Sequence, residues 1–151
     1  MCSSDLLLVG SDARGLPTDL LPEGVAIFAY APFSELFARS AAVVHQGGIG
    51  TVGLAMRAGL PMLIVPYAFD QPDNAARAAR LGVARVIPRH RYTATRAASQ
   101  LRRLLEGKHY AVRAADIRRR MHDEDGVGAA CDALEGLMGE PHRGTQPWPR
   151  G

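Results

Sequence analysis

Cysteine is nearly absent: Cys2 and Cys131 are the only two in 151 residues. One stands at the extreme terminus and the other in a helix-like pattern, which argues against a disulfide framework or a cysteine-built zinc site and leads us to expect a reducing, cytoplasmic setting. Long apolar runs are also missing. Met62 to Phe69 is broken by Pro66 and falls short of the roughly 20 residues that a membrane-spanning helix needs. No basic stretch followed by an apolar one opens the chain, so no signal peptide is expected. Aromatics make up 6% of the residues and the net charge is only +3. The basic excess comes from arginines after residue 76, such as Arg102, Arg103, Arg113, Arg118, Arg119 and Arg120. They lack the interleaved aromatics of a single-strand platform and read as solvated helix faces, so nucleic acid is not expected as a partner.

What is present suits one soluble globular domain, with 47% hydrophobic and 22% charged residues. Residues 1–5 are expected to be an artefactual or disordered terminus without function, because Cys-Ser-Ser-Asp-Leu is a string that adapter read-through can produce. Leu6 to Gly10 reads as a buried strand, and an early core strand with nothing ahead of it implies that the chain begins within a domain. Residues 11–24 read as a loop. Val25 to Tyr30 forms a second strand, ended by Ala31-Pro32, and Ser34 is the expected N-cap of a short helix with Leu36 and Phe37 facing inward. Ala41 to Val44 makes a third strand.

A helix from Val52 closed by Gly59, a continuously apolar strand Met62 to Val65, and a helix after Asp70 ended by Gly82 come next. The arginine-bearing strand Val83 to Ile87 belongs near an edge. Ala97, Leu101, Leu104 and Leu105 form the stripe of a helix beginning near Thr93. Further helices are expected over 111–122 and 127–138, the last with Val127, Cys131, Leu134 and Met138 at helical spacing. Residues 139–151, with Trp148, are expected to be a disordered tail. Strands alternating with helices predict an α/β domain, a Rossmann-like parallel sheet with helices on both faces and a helical C-terminus.

The third strand runs into His45-Gln46-Gly47-Gly48-Ile49-Gly50-Thr51. A strand, a glycine turn and a helix start place backbone N–H groups around a phosphate. Gly48 to Gly53 satisfies G-x-G-x-x-G, and Asp70 lies about where a dinucleotide fold keeps its ribose acid, so an NAD(P)- or FAD-binding domain of an oxidoreductase is one alternative. Against it, the glycines follow the third strand rather than the first, Asp70 lies past the apolar part of the next strand, and the fingerprint has no role for His45.

Taken together, Tyr30-Ala31-Pro32, the His45 to Thr51 stretch, Ala58-Gly59-Leu60-Pro61 and Asp70-Gln71-Pro72-Asp73-Asn74 resemble, in order and spacing, the donor-binding half of nucleotide-sugar glycosyltransferases. The resemblance is to the bacterial branch of the UDP-glycosyltransferase superfamily that modifies macrolides, glycopeptides, sterols and rhamnolipids, the erythromycin glycosyltransferase type. It runs from about Leu6 to Met138 and implies the C-terminal half of a GT-B fold, a nucleotide-sugar-binding domain over 6–138 that is incomplete at its N-terminus. It implies that His45, Gly47, Gly48, Gly50 and Thr51 bind the diphosphate, that Asp70 and Gln71 bind the sugar hydroxyls, and that Tyr30, Ala31, Pro32 and Phe33 lie near the nucleobase. For Asp70, a helix N-cap would look identical in sequence.

The resemblance implies no metal and no cofactor, the substrate being a UDP- or dTDP-sugar. It places the catalytic base and the small-molecule or lipid acceptor in an N-terminal domain or partner chain. Two departures stand out: Gln46 replaces a second histidine common in the branch, and Gly53 stands where plant members keep a ribose-binding glutamate. A nucleotide-binding module without chemistry is the other alternative.

Overall fold

A computed structural model describes residues 5–10 and 21–138. The described strands are all parallel and fall into two sheets. In one, β1 (Asp5–Leu8) pairs with β2 (Val25–Phe28); in the other, β3 (Val43–His45), β4 (Met62–Ile64) and β5 (Ala84–Val86) lie in that order. The helices are α1 (Phe33–Phe37), α2 (Ile49–Ala58), α3 (Gln71–Arg80), α4 (Ala94–Glu106), α5 (Lys108–His122) and α6 (Gly126–Met138), with a 3-10 turn at Arg89–Arg91.

The continuous apolar character of β4 has its reason in the layering. Successive strand side chains point to opposite faces. Met62 and Ile64 pack with Val52 and Ala55 of α2, Ala75 and Ala78 of α3, and Ala114 of α5. Leu63 and the following Val65 pack on the other face with Ile87 and with Leu104 of α4. All three β4 residues are buried. Gly59 ends α2 in the left-handed region at φ 72°, where its N–H returns to the Ala55 and Met56 carbonyls. Thr93 caps α4 by accepting from the Arg96 N–H at 3.3 Å. As expected, β5 is an edge strand, and its Arg85 donates to Gln100 Oε1 and to Tyr110 Oη, the latter at 2.7 Å.

Several expectations need correction. The first strand is not buried: Leu6 and Leu7 are 43% and 44% exposed. Among the described residues β2 is its only sheet partner, and pairing along an edge does not cover a strand's faces. Asp5, set aside with the terminus, belongs to β1 and its N–H donates to the Gly24 carbonyl at 2.8 Å. Strand β2 stops at Phe28, short of Tyr30. Helix α1 is entered through Pro32, whose φ of −64° suits a helix start, so Ser34 lies inside it and does not cap it. Leu36 and Phe37 do face the core.

Leu105 turns outward from α4, and the apolar positions of α6, Val127, Cys131, Leu134 and Met138, are all exposed. Helical spacing makes a stripe, but only a partner surface buries it. The expected tail, with Trp148, lies outside the described residues, as do residues 1–4 and 11–20. No helix among the described residues is long and apolar enough to cross a membrane.

The two neighbouring leucines of α4 make a direct test of the layering. Leu104→Ala is expected to lower stability in urea unfolding by about 2–5 kcal/mol, and Leu105→Ala by no more than about 0.5 kcal/mol.

Candidate functional site

Strands β3 and β4 run side by side with Val43 against Met62 and His45 against Ile64, so their carboxyl ends lie at one edge. Each leads into a helix start, α2 after β3 and α3 after β4. In an open α/β sheet this edge is where ligands bind. The local sequence explains how closely the two connections approach. Gly47 is buried at φ 96°, and a Cβ there would lie 2.8 Å from Ile64 Cγ2 and 3.3 Å from the Gln71 carbonyl oxygen. No side chain fits, in space or in backbone angle.

Gly48 is the N-cap of α2 in extended conformation, φ −61° and ψ 139°. The first helical bond runs from the Val52 N–H to the Gly48 carbonyl at 3.0 Å. The N–H groups of Gly48, Ile49, Gly50 and Thr51 therefore have no helical acceptor and form the positive end of the helix dipole. Ile49 was missed by sequence reasoning, which looked to the glycines; any residue but proline in a first helical turn supplies such a donor. Gly47 has a different part. Its N–H donates to His45 Nδ1 at 3.0 Å and its carbonyl accepts from Asn74 Nδ2 at 3.0 Å, so it shapes the turn and has no donor left for a phosphate.

That bond also sets the tautomer of His45. Since Nδ1 accepts, the neutral ring carries its proton on Nε2. Burial lowers the pKa from 6.5 to about 4, so the ring is neutral at ordinary pH. Nε2 is buried without a partner, the only such side-chain nitrogen or oxygen among the described residues. A buried donor with nothing to donate to is costly and needs an explanation.

On the neighbouring strand end, Asp70 occupies the N-cap position of α3 but makes no side-chain cap bond. Its carboxylate is exposed and Oδ2 accepts from Asn74 Nδ2 at 2.7 Å. Gln71 Oε1 accepts from the backbone N–H groups of Tyr67 at 2.9 Å and Ala68 at 3.3 Å. Its amide can therefore only donate outward, rather than both donate and accept. Arg89 stacks its guanidinium 4.5 Å from the centre of the Tyr67 ring, which ties the connection after β4 to the one after β5.

The structure brings His45, the α2 start, Asp70 and Gln71 to one sheet edge. It does not show Tyr30, Ala31, Pro32 and Phe33 touching them. Tyr30 is 80% exposed, and Phe33 stacks on Phe37 with ring centres 5.1 Å apart, while α1 packs on α2. Among the described residues no three His, Cys, Asp or Glu side chains converge as a metal site would require. A hollow of about 300 Å³ lined by Arg80, Gly82, Arg113 and Arg120 lies at the opposite end of α3 and shares no residue with the edge. There Asp116 pairs with Arg119 at 3.0 Å, as a solvated helix face would.

The dinucleotide alternative loses its physical basis at Gly53. In that fingerprint the last glycine permits close packing of helix on strand. Here a Cβ on Gly53 would meet nothing within 4 Å.

Likeness to solved structures identifies this parallel α/β sheet as part of the GT-B class of glycosyltransferase folds. The chain is similar to glycosyltransferase VinC in complex with dTDP, with a TM-score of 0.72 and 32% identity over 78% of this chain and 30% of that one. It is likewise similar to the glycotransferase of kitacinnamycin, with a TM-score of 0.78 and 27% identity over 87% of this chain and 34% of that one. The chain belongs to the family of the erythromycin biosynthesis protein CIII-like C-terminal domain, whose profile matches residues 6–127. Curated relatives include the O-mycaminosyltylonolide 6-deoxyallosyltransferase of Streptomyces fradiae, 40% identical over 86% of this chain, and the aklavinone 7-beta-L-rhodosaminyltransferase of Streptomyces galilaeus, 30% identical over 91%. The chain spans 30% of the length of each.

Two outcomes follow from this geometry. Gly53→Ala is expected to raise stability by about 0.5–1 kcal/mol, while Gly47→Ala lowers it by at least about 1–3 kcal/mol, both read by denaturant unfolding. For His45, the unfolded ring titrates near 6.5 and the folded one near 4, so between these values the unfolded state binds more protons. The contribution of His45 to stability is full above pH 6.5 and is lost as the pH falls through about 4. Wild type should lose more stability than His45→Gln over that window, and ring NMR should show neutral Nε2–H imidazole at pH 7.

Proposed function

We propose that this domain is the donor-binding half of an inverting glycosyltransferase that moves a hexose or deoxyhexose from a nucleoside-diphosphate sugar to an acceptor hydroxyl. One observation carries the reading: the orphan Nε2–H of a neutral His45, at the end of the strand that leads into the unpaired N–H groups opening α2. The negative charge on a diphosphate grows as the bond to the anomeric carbon breaks. Fixed donors in a partly desolvated turn stabilise that growing charge more than they stabilise the bound donor. Gly48, Ile49, Gly50 and Thr51 supply backbone donors, the Thr51 hydroxyl adds another, and His45 donates from Nε2. Neutral in the unliganded protein, its ring offers the Nε2–H as a hydrogen-bond donor, so its part is electrostatic.

Asp70 and Gln71 face the sugar, the carboxylate accepting from hydroxyls and the amide donating to one. Tyr30 and Phe33 would flank the nucleobase. The acceptor and its general base belong to the part of the relatives' length that this chain does not span, reached through another domain or a partner chain. Deprotonation there lets the hydroxyl attack the anomeric carbon while this half holds the leaving diphosphate. A thymidine diphosphate donor is supported by the likeness to VinC, which was solved in complex with dTDP. A cytoplasmic enzyme of this kind would draw on the cell's pool of such sugars.

Calorimetric titration with dTDP, UDP, dTDP-rhamnose, UDP-glucose and NADH tests the proposal. A nucleoside diphosphate should bind, NADH should not, and His45→Ala should weaken diphosphate binding by about tenfold or more. Unchanged affinity in His45→Ala, or preference for NADH, would overturn it.

A further inference from the structure

Asn74 was quoted in the sequence only as part of a motif, yet among the described residues it makes the side-chain hydrogen bond that links the two halves of the edge. Its Nδ2 donates to the Gly47 carbonyl at 3.0 Å and to Asp70 Oδ2 at 2.7 Å. Both partners are acceptors only, so the amide orientation is settled and both of its hydrogens are engaged. The Asn74 N–H also bonds the Asp70 carbonyl at 3.0 Å, which fixes the residue in the first turn of α3. Gly47 and Asn74 are 27 positions apart, joined only because β3 and β4 end together.

The consequences run both ways. Drawing the Gly47 carbonyl toward α3 sets the turn from which the donors of residues 48–51 emerge. Holding Oδ2 of Asp70 fixes the carboxylate rotamer and leaves Oδ1 as the free acceptor. Gln71 is restrained in the same way by the Tyr67 and Ala68 N–H groups, and it turns only its amide hydrogens outward. The sugar therefore meets one fixed acceptor and one fixed donor, at a distance from the diphosphate turn that Asn74 maintains.

We infer that Asn74 is a positioning residue which couples the diphosphate turn to the sugar-reading carboxylate, so that the sugar contributes to affinity only while this bridge is intact. The inference rests on the donor-site reading above and adds to it a residue that touches neither phosphate nor sugar. Such a bridge predicts non-additivity, because Asn74 acts on the sugar through Asp70.

The test compares affinity for dTDP-rhamnose with affinity for dTDP in wild type, Asn74→Ala, Asp70→Ala and the double variant, with UDP-glucose and UDP as a parallel pair. The gain from the sugar should fall by about tenfold in Asn74→Ala, to the level of Asp70→Ala, and the double variant should lose no more than either single one. A residue with only a structural role would lower both affinities alike and leave the gain untouched. Asn74→Asp, nearly isosteric but without donors, repeats the measurement should the alanine variant fold poorly.

Amide hydrogen exchange on the unliganded protein gives a second readout: exchange at the Gly47 and Val52 N–H groups, which are bonded within the turn, should quicken in Asn74→Ala and Asn74→Asp. A sugar gain equal to wild type in either variant, or unchanged exchange at Gly47 and Val52, would overturn the inference while leaving the donor site standing. Wild type that binds none of the four nucleotides would overturn the donor site, and the inference with it.

Discussion

The contact between Ile64 and Gly47 is where the core and the site meet. Ile64 ends the doubly covered strand β4 and is fully buried, and its Cγ2 occupies the space that any side chain at position 47 would need. Because the strand end is held between layers of helices, the turn that rests on it is held too. The carboxyl end of β3, the start of α2 and the start of α3 all take their places from this packing. A rigid buried strand under a glycine-shaped turn is a means of holding backbone donors still, which electrostatic stabilisation of a leaving group demands.

The polar groups at this edge are of two kinds. One set is satisfied within the protein: the Gly47 N–H and carbonyl, His45 Nδ1, Gln71 Oε1 and the Asn74 amide. The other has no partner among the described residues: the buried His45 Nε2–H, the first N–H groups of α2, the free oxygen of Asp70 and the amide hydrogens of Gln71. The first set fixes the second. Burial does the rest for His45, because a neutral imidazole keeps its donor role across the pH range in which an exposed histidine would change charge.

Much of the fold could be read from local pattern. The apolar run of β4, the glycines closing α2 and α3, and the threonine opening α4 each have a cause within a few residues. Where pattern failed, the missing ingredient was a neighbour. Leu6 and Leu7 read as core but have only β2 beside them, and the spacing in α6 is that of a buried stripe although nothing among the described residues covers it. Leu105 sits one position beyond the buried Leu104, a rotation that composition does not reveal. Ser34 could cap a helix, but Pro32 entered it first.

The sequence by itself determined the alternation of strands and helices, the glycine turn at a strand end, and the resemblance that the family match confirms over residues 6–127. These depend on side-chain size, backbone freedom and spacing along one segment. Only the tertiary structure decided which polar atoms are free. The tautomer of His45, the one-sided role of Gln71, the scaffold role of Gly47 and the bridge made by Asn74 all depend on hydrogen-bond partners. One of these bonds, from Asn74 to Gly47, spans 27 positions, and the parallel register of β3 and β4 is what brings its partners within reach.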